Sequence, residues 1–325
     1  MAMPTRRYLI ASGAASAVVP GLIRTVQANP WPDRAVHMIV PLAAGGPTDV
    51  NARIVAEQLA KIWNQQVVID NKGGAGTNIG NAFVAHADSD GYTLLFGTSS
   101  LASNGALYRS LDYNPLTDLK PVSLVARFPF FMFVPNSSPA KTVPEFIDYV
   151  KGQPGKLIIA SPGTGSGPHL AELLFMQMAG IQMTHAPYRG AAPAFTDLIP
   201  GRVHCYFGSG ELLTYSRSGQ GRVLATTGAK RSPAAPGVPA IAESVPSYVV
   251  DSWQGVFAPA KTENQIVQQI SRDLAKALAE PSLVEKLQRN AYTVESSTPA
   301  ELAKFLKTDT EKWEAVIKTT GIKID

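Results

Sequence analysis

V-P-L-A-A-G-G-P-T-D, from Val40 to Asp49, is the stretch on which the reading turns. Apolar residues Val36 and Met38 to Val40 read as a short buried strand. Gly45-Gly46-Pro47-Thr48 breaks that run, and Val50, Ile54, Val55, Leu59 and Ile62 then recur at helical spacing. A strand that passes through glycines into a helix start makes an anion site. The first N–H groups of a helix have no internal acceptor, and its dipole places partial positive charge there. The glycines let a ligand come close to the backbone. No Lys follows them, so the stretch is not a phosphate-binding P-loop, and a carboxylate is the anion it suits.

Three further loops share this design. Thr98-Ser99-Ser100 ends the strand Tyr92–Phe96 through Gly97, and Ser161-Pro162-Gly163-Thr164-Gly165-Ser166-Gly167 follows Leu157–Ala160, with His169 in the next helical turn. Tyr188-Arg189-Gly190-Ala191 follows the short run Thr184–Pro187. Ligands in open α/β sheets bind at the carboxyl ends of strands, where such loops gather.

At 325 residues the chain exceeds the size at which one core normally divides, so two domains are expected. Strand runs alternate with helical patterns, the signature of an α/β fold with largely parallel sheets. The candidate strands are Val36–Val40, Gln66–Ile69, Tyr92–Phe96, Val122–Ala126, Phe130–Val134, Leu157–Ala160, Val203–Phe207, Val223–Thr226 and Ser252–Phe257. Thr142–Glu145, Thr262–Gln265 and Thr298–Glu301 carry the capping-box pattern of helix starts. The last opens a long helix with Leu302, Phe305, Leu306, Trp313, Val316 and Ile317 inward. Two extended crossings, near Arg127-Phe128-Pro129 and near Ser252, suit a chain that leaves one domain, builds a second and returns. The expected division is residues 29–129 with 252–325 for domain 1 and 130–251 for domain 2.

Residues 1–28 read as an export signal. Arg6-Arg7 forms a twin arginine before a small-residue apolar run, and Val26-Gln27-Ala28 offers an A-x-A-like cleavage site. The run is too weakly hydrophobic for a membrane span. Its removal takes away Arg6, Arg7 and Arg24 and no acid, so the mature chain is near neutral although the whole sequence has a pI of about 9.0. That balance speaks against nucleic acid or an anionic membrane surface as partner. Cys205 stands alone in an apolar run and reads as a small core residue. The five His and one Cys show no metal-ligand spacing, and no cofactor is expected.

The chain resembles the periplasmic substrate-binding proteins of tripartite tricarboxylate transporters, the Bug family, over essentially its whole mature length. The resemblance rests on Val40–Asp49, V-V-I-D-N-K-G-G-A-G-T-N-I-G (67–80), D-G-Y-T-L-L (90–95), S-P-G-T-G-S-G-P-H-L (161–170) and Y-R-G-A-A-P-A-F-T-D-L-I-P-G-R-V (188–203). A-T-T-G-A-K-R-S-P-A-A-P-G-V-P (225–239), W-Q-G-V-F-A-P-A (253–260) and W-E-A-V-I-K-T-T-G-I-K (313–323) also fit, in the same order. The resemblance implies a two-domain α/β periplasmic binding protein, type II-like, with a hinged interdomain cleft. It further implies a carboxylate ligand held by backbone N–H groups, hydroxyls and water, and delivery to membrane transporter subunits. The sequence departs from the family at His204 and near Gly208-Ser209, where acids are common, at Leu101, where a His is common, and at Asn71-Lys72-Gly73, which lacks a proline.

The expected ligand-binding set is Gly46, Pro47, Thr48, Asp49, Thr98, Ser99, Ser100, Gly163, Thr164, Gly165, Ser166, His169, Arg189, Gly190 and Ser209. Asp49 reads first as a residue that caps its own helix or orients the loop. Arg189 is either a fork for a ligand carboxylate or a surface residue. Ser166 and His169 are close enough to raise the possibility of a hydrolase, with Ser209 as another nucleophile, but the G-x-S-x-G elbow is absent. Gly74–Gly80 misses the dinucleotide spacing and reads as a packing turn, and Trp253 as core or hinge packing. The expected protein is thus a monomeric, non-enzymatic carboxylate receptor of the periplasm. A ligand sensor of the same fold and a secreted α/β hydrolase are the alternatives.

Overall fold

The computed structural model describes residues 1–2 and 31–320. The expected twin arginine and cleavage site lie outside the described residues. Everything below belongs to the compact unit that begins at Trp31.

Strand β1 (Val36–Val40) leads into α1 (Pro47–Trp63), as the opening motif requires. It is followed by β2 (Val67–Asn71), α2 (Asn78–Ala85), β3 (Thr93–Thr98) and α3 (Ser100–Leu107). The long β4 (Leu119–Pro129) then passes through Phe130 into β5 (Phe131–Val134). Next come α4 (Val143–Lys151), β6 (Ile158–Ser161), α5 (Gly167–Ala179), β7 (Thr184–Pro187) and α6 (Ala191–Leu198). They are followed by β8 (Cys205–Gly208), α7 (Glu211–Arg217) and β9 (Arg222–Thr226). The chain closes with β10 (Asp251–Pro259), α8 (Asn264–Leu278), α9 (Pro281–Gln288), β11 (Thr293–Val294) and α10 (Pro299–Thr320).

These strands form two sheets. One has six strands in the order β11-β4-β10-β3-β1-β2, the other five in the order β7-β6-β8-β5-β9. The β-α-β segments pair in parallel, β1 with β2 and β3, and β6 with β7 and β8. The sheets are nevertheless mixed rather than largely parallel. β4, β5 and β10 carry the chain between the sheets, and β5 and β10 lie antiparallel to their neighbours. A strand that arrives from the other half, without a crossover helix, has no reason to share the local direction. The short run Thr184–Pro187 forms β7, partly exposed at a sheet edge, while the two-residue β11 is absent from the candidate strands because it is too short to show alternation.

The two crossings meet at Thr227, which is fully buried. Its N–H donates to the Phe130 carbonyl at 2.8 Å, and its hydroxyl accepts from the Phe130 N–H at 2.8 Å. That hydroxyl donates in turn to the Val250 carbonyl at 2.6 Å, and the Val250 N–H donates to the Thr227 carbonyl at 2.9 Å. One side chain thus joins the outgoing strand to the returning one.

The helices after β10 cover the six-stranded sheet. α8 packs against α1 and β4, and α10 against α3 and β4. α10 buries Leu302, Leu306, Trp313 and Ile317, while Phe305 and Val316 are half-buried. Trp253 of β10 is core, and its Nε1–H donates to Asp309 of α10 at 2.8 Å. Cys205 is a buried thiol within β8. The expected Thr298 capping box forms, with Thr298 N–H donating to Glu301 at 2.8 Å and Glu301 N–H to the Thr298 hydroxyl at 3.2 Å. At Thr142 only half of it does, since Glu145 reaches the Lys141 N–H instead. At Thr262 none forms: α8 starts at Asn264 with Glu263 before it and no side-chain cap.

Replacing Thr227 by Val keeps its shape but leaves the Phe130 N–H without its acceptor. The variant is expected to lose about 1–3 kcal/mol of stability, read as a lower urea midpoint at unchanged slope. An unshifted midpoint would show that the tie carries no energy.

Candidate functional site

The carboxyl ends of β1, β3, β6, β7 and β8 each run into a helix, and the starts of those five helices surround one cavity of about 70 Å³. From the six-stranded half come Gly46, Pro47 and Thr48 at α1, Thr98, Ser99 and Ser100 at α3, and Ser252 of β10. From the five-stranded half come Ser166, Gly167 and Pro168 at α5, Gly190 and Ala191 at α6, and Gly208, Ser209 and Glu211 at α7. Phe128 and Phe130, an edge-to-face pair with ring centroids 5.7 Å apart, line it where β4 leaves one sheet for the other.

The donors in this cavity are neutral, and several are held in place from behind. α1 begins with Pro47, which has no N–H, and Gly46 before it has no side chain to cap the next ones. The Thr48 hydroxyl accepts from Gln254 at 3.4 Å, and Gln254 accepts from Asn51 at 2.9 Å. The Thr77 hydroxyl accepts from Asn81 at 3.1 Å and Asn104 at 3.3 Å. Each hydroxyl so occupied as an acceptor keeps its own proton to donate. The Ser99 and Ser252 hydroxyls are 2.8 Å apart, and Thr98 donates to Ser100 at 3.3 Å.

Gly46, Pro47, Thr48, Thr98, Ser99, Ser100, Ser166, Gly190 and Ser209 are therefore brought together from the expected set. Six others are not in the cavity wall. Asp49 turns back: its carboxylate accepts from the Gly45 N–H and from Arg53 Nε, both at 3.0 Å. Burial opposes its ionisation, yet Arg53 and the Gly45 N–H hold its carboxyl below the usual range. Gly163, Thr164 and Arg189 line a wider outer space of about 650 Å³ shared with Gly73–Thr77 and Tyr108. There the Tyr108 hydroxyl donates across the two halves to the Thr164 carbonyl at 3.2 Å. Gly165 donates its N–H to His169 Nδ1 at 3.0 Å. His169 is buried and stacks on His185 with centroids 3.9 Å apart, and burial pushes its pKa down to about 3.

Ser166 touches the cavity, but its hydroxyl is committed to its own loop. It donates to the Gly163 carbonyl at 2.7 Å and accepts from the His169 N–H at 3.5 Å, as the cap of α5. No imidazole nitrogen faces Ser166 or Ser209 within hydrogen-bond distance among the described residues. No group of three His, Cys, Asp or Glu among them could hold a metal ion. His204 accepts from the Ile158 N–H at 3.0 Å, beside β6.

The sequence reading missed Thr77, Phe128, Phe130, Tyr206, Glu211 and Ser252. Phe130 and Ser252 mark the two crossings, so the cavity position of a crossing was the available signal. Glu211 carries a weaker one, an acid at the start of the helix after the apolar run that forms β8.

The sequence profile described as "Tripartite tricarboxylate transporter family receptor" matches residues 51–322. The chain belongs to that receptor family. Solved relatives share its fold closely. The periplasmic binding protein BugD is 32% identical with a TM-score of 0.87, over 90% of this chain and 99% of its own. Rpa4515 of R. palustris, solved with adipate, is 36% identical with a TM-score of 0.87, over 90% and 99%. MatC of Rhodopseudomonas palustris, solved with bound malate, is 30% identical with a TM-score of 0.84, over 88% and 100%. The receptor fold is thus the two-domain binding-protein fold with a cleft between its sheets.

Across that cleft the halves touch where a side chain would not fit. A Cβ at Gly167 would meet Phe130 at 2.9 Å and the Ser99 hydroxyl at 3.0 Å, and one at Gly210 would run into the Asn290 carbonyl. Gly167→Ala and Gly210→Ala should each oppose this approach by about 1–3 kcal/mol. Small-angle scattering should then show a larger radius of gyration at unchanged helix content. An unaltered scattering curve would show that these contacts do not set the width of the cleft.

Proposed function

We propose that this receptor captures a small carboxylate between its two halves and delivers it to the membrane subunits of a tripartite tricarboxylate-type transporter. The observation that carries the reading is the cavity itself: five helix starts and a set of hydroxyls, with no Lys, Arg or His among its lining residues. Such a site suits an anion that is stripped of water and satisfied by many neutral donors. Solved relatives with adipate and with malate support aliphatic acids of that size as the first ligands to try. Gly46, Thr48, Thr77, Ser99, Ser100 and Ser209 are the proposed contact residues, while Ser166 and Gly190 shape the wall with their N–H groups donated to the Gly163 and Pro162 carbonyls. Asp49, Gly163, Thr164, Gly165, His169 and Arg189 hold or border the site.

The same reading makes residues 1–28 an export signal of twin-arginine type, cleaved after Ala28, and the mature chain a monomer of the periplasm. It assigns 29–129 with 252–325 to one domain and 130–251 to the other, in line with the membership of the two sheets. Closure about the two crossings completes the donor set. Neither Ser166 nor Ser209, the two serines weighed as nucleophiles, has an imidazole facing its hydroxyl, which supports binding rather than hydrolysis at this cavity. The one serine–imidazole contact of this half, Ser161 with His185 Nε2 at 2.7 Å, lies outside its wall.

A thermal-shift panel of mono-, di- and tricarboxylates including adipate and malate tests the proposal. An acid at a hundred times its dissociation constant adds about 2.7 kcal/mol to the folded state, so a binder raises Tm visibly. Thr48→Val should then weaken that acid by about 1.5–3 kcal/mol in calorimetry, the worth of one hydrogen bond to a charged group. A panel without a shift would refute the carboxylate reading, and full affinity in Thr48→Val would remove α1 from the site.

A further inference from the structure

Glu211 stands between two spaces. It lines the 70 Å³ cavity, and it also lines a neighbouring one of about 160 Å³ bounded by Gly46, Pro47, Asn51, Tyr215, Asn290 and Tyr292. Its Oε1 accepts the Ser209 N–H at 3.2 Å. Its Oε2 is shielded from solvent and has no hydrogen-bond partner in the protein. No Lys, Arg or His lines either space. The titratable groups that face Glu211 are phenols: Tyr206 from β8, Tyr215 from its own helix and Tyr292 from the segment between α9 and β11. None of them supplies positive charge.

An anion held in the cavity therefore meets a carboxyl group in the same wall, at the start of α7. Two ionised carboxylates at contact distance repel, whereas a pair that shares one proton forms a short, charge-assisted O–H···O bond. We propose that Glu211 binds one proton as the acid enters and donates it through Oε2 to a ligand oxygen, so that capture is coupled to proton uptake. This rests on the carboxylate reading above. The proton comes from solvent, Glu211 goes from carboxylate to carboxylic acid, the ligand keeps its charge, and no covalent bond changes. Burial has already pushed the Glu211 carboxyl up to about 7, so the empty site is poised to accept the proton near neutral pH. The incoming anion raises it further.

The sign of the pH dependence follows. Below pH 7 the proton is in place and affinity is level, while above it each unit of pH weakens binding by up to about tenfold. Calorimetry of the wild-type protein with adipate and with malate, over roughly pH 6 to 9 and in buffers of different ionisation heat, reads both the slope and the proton count. Glu211→Gln carries a fixed donor at the same place, so its binding should have no slope and no proton uptake. Slope and uptake in the wild type that vanish in the Gln variant support the proposal. A bound acid with level affinity and no uptake in the wild type overturns it and leaves carboxylate capture standing, as does a slope that survives in Glu211→Gln. Binding of neither acid at any pH overturns this proposal for aliphatic diacids, and the carboxylate reading is then decided separately by the thermal-shift panel. If the Gln variant fails to fold, the wild-type proton count alone decides.

Discussion

The described chain passes between its two sheets at Phe130 and again between Thr226 and Asp251, and Thr227 ties both passages with four hydrogen bonds. Everything about the cleft depends on that restriction. Each sheet carries its own set of helix starts at the carboxyl ends of its strands. A rotation of the two halves about this short, hydrogen-bonded junction is the motion that the proposed closure requires. Phe130 sits at the junction and in the cavity wall at once, so the junction and the proposed site share a side chain.

The proposed site is an anion site without a cation: no Lys, Arg or His lines the cavity. A Lys or Arg in the wall would attract any anion strongly and hold the halves together by charge even when the site is empty. Neutral N–H groups and hydroxyls are worth about 1.5–3 kcal/mol each only when a charged acceptor reaches them, so the gain arrives with the ligand. In the proposed mechanism that difference between empty and filled is what drives closure. The supporting residues follow the same logic. Gln254, Asn51, Asn81 and Asn104 donate to or hold Thr48 and Thr77 from behind, which fixes the direction of the remaining hydroxyl proton. Asp49, an acid beside an anion site, is neutralised by Arg53 and spent on its own loop.

The architecture was legible where local chemistry decides it. The strand, glycine turn and helix from Val36 to Trp63 and the Thr298–Glu301 cap follow from apolar period and turn residues, whereas the joint read at Arg127–Pro129 lies inside β4 and the passage itself is at Phe130. The sequence could not show that β5 and β10 would lie antiparallel to their neighbours, because direction in a sheet depends on where a strand arrives from. The site was legible as a set of loops and less so as a set of atoms. Helix starts rich in Gly, Ser and Thr predict donors, but Ser166 satisfies its own loop and His169 is buried against His185. Arg189, read as either a carboxylate fork or a surface residue, lies exposed on the outer space. Thr77 and Glu211 come from segments far apart in sequence, and only the fold places them together.

The most direct test of neutral capture is a crystal structure of the protein with adipate or malate bound. The account predicts a carboxylate within hydrogen-bond distance of the donors at the starts of α1 and α3, with one α5 or α6 N–H completing its shell. It also predicts that no Lys or Arg side chain touches the ligand. A carboxylate paired with Arg189 in the outer space, with the inner cavity unfilled, would contradict it.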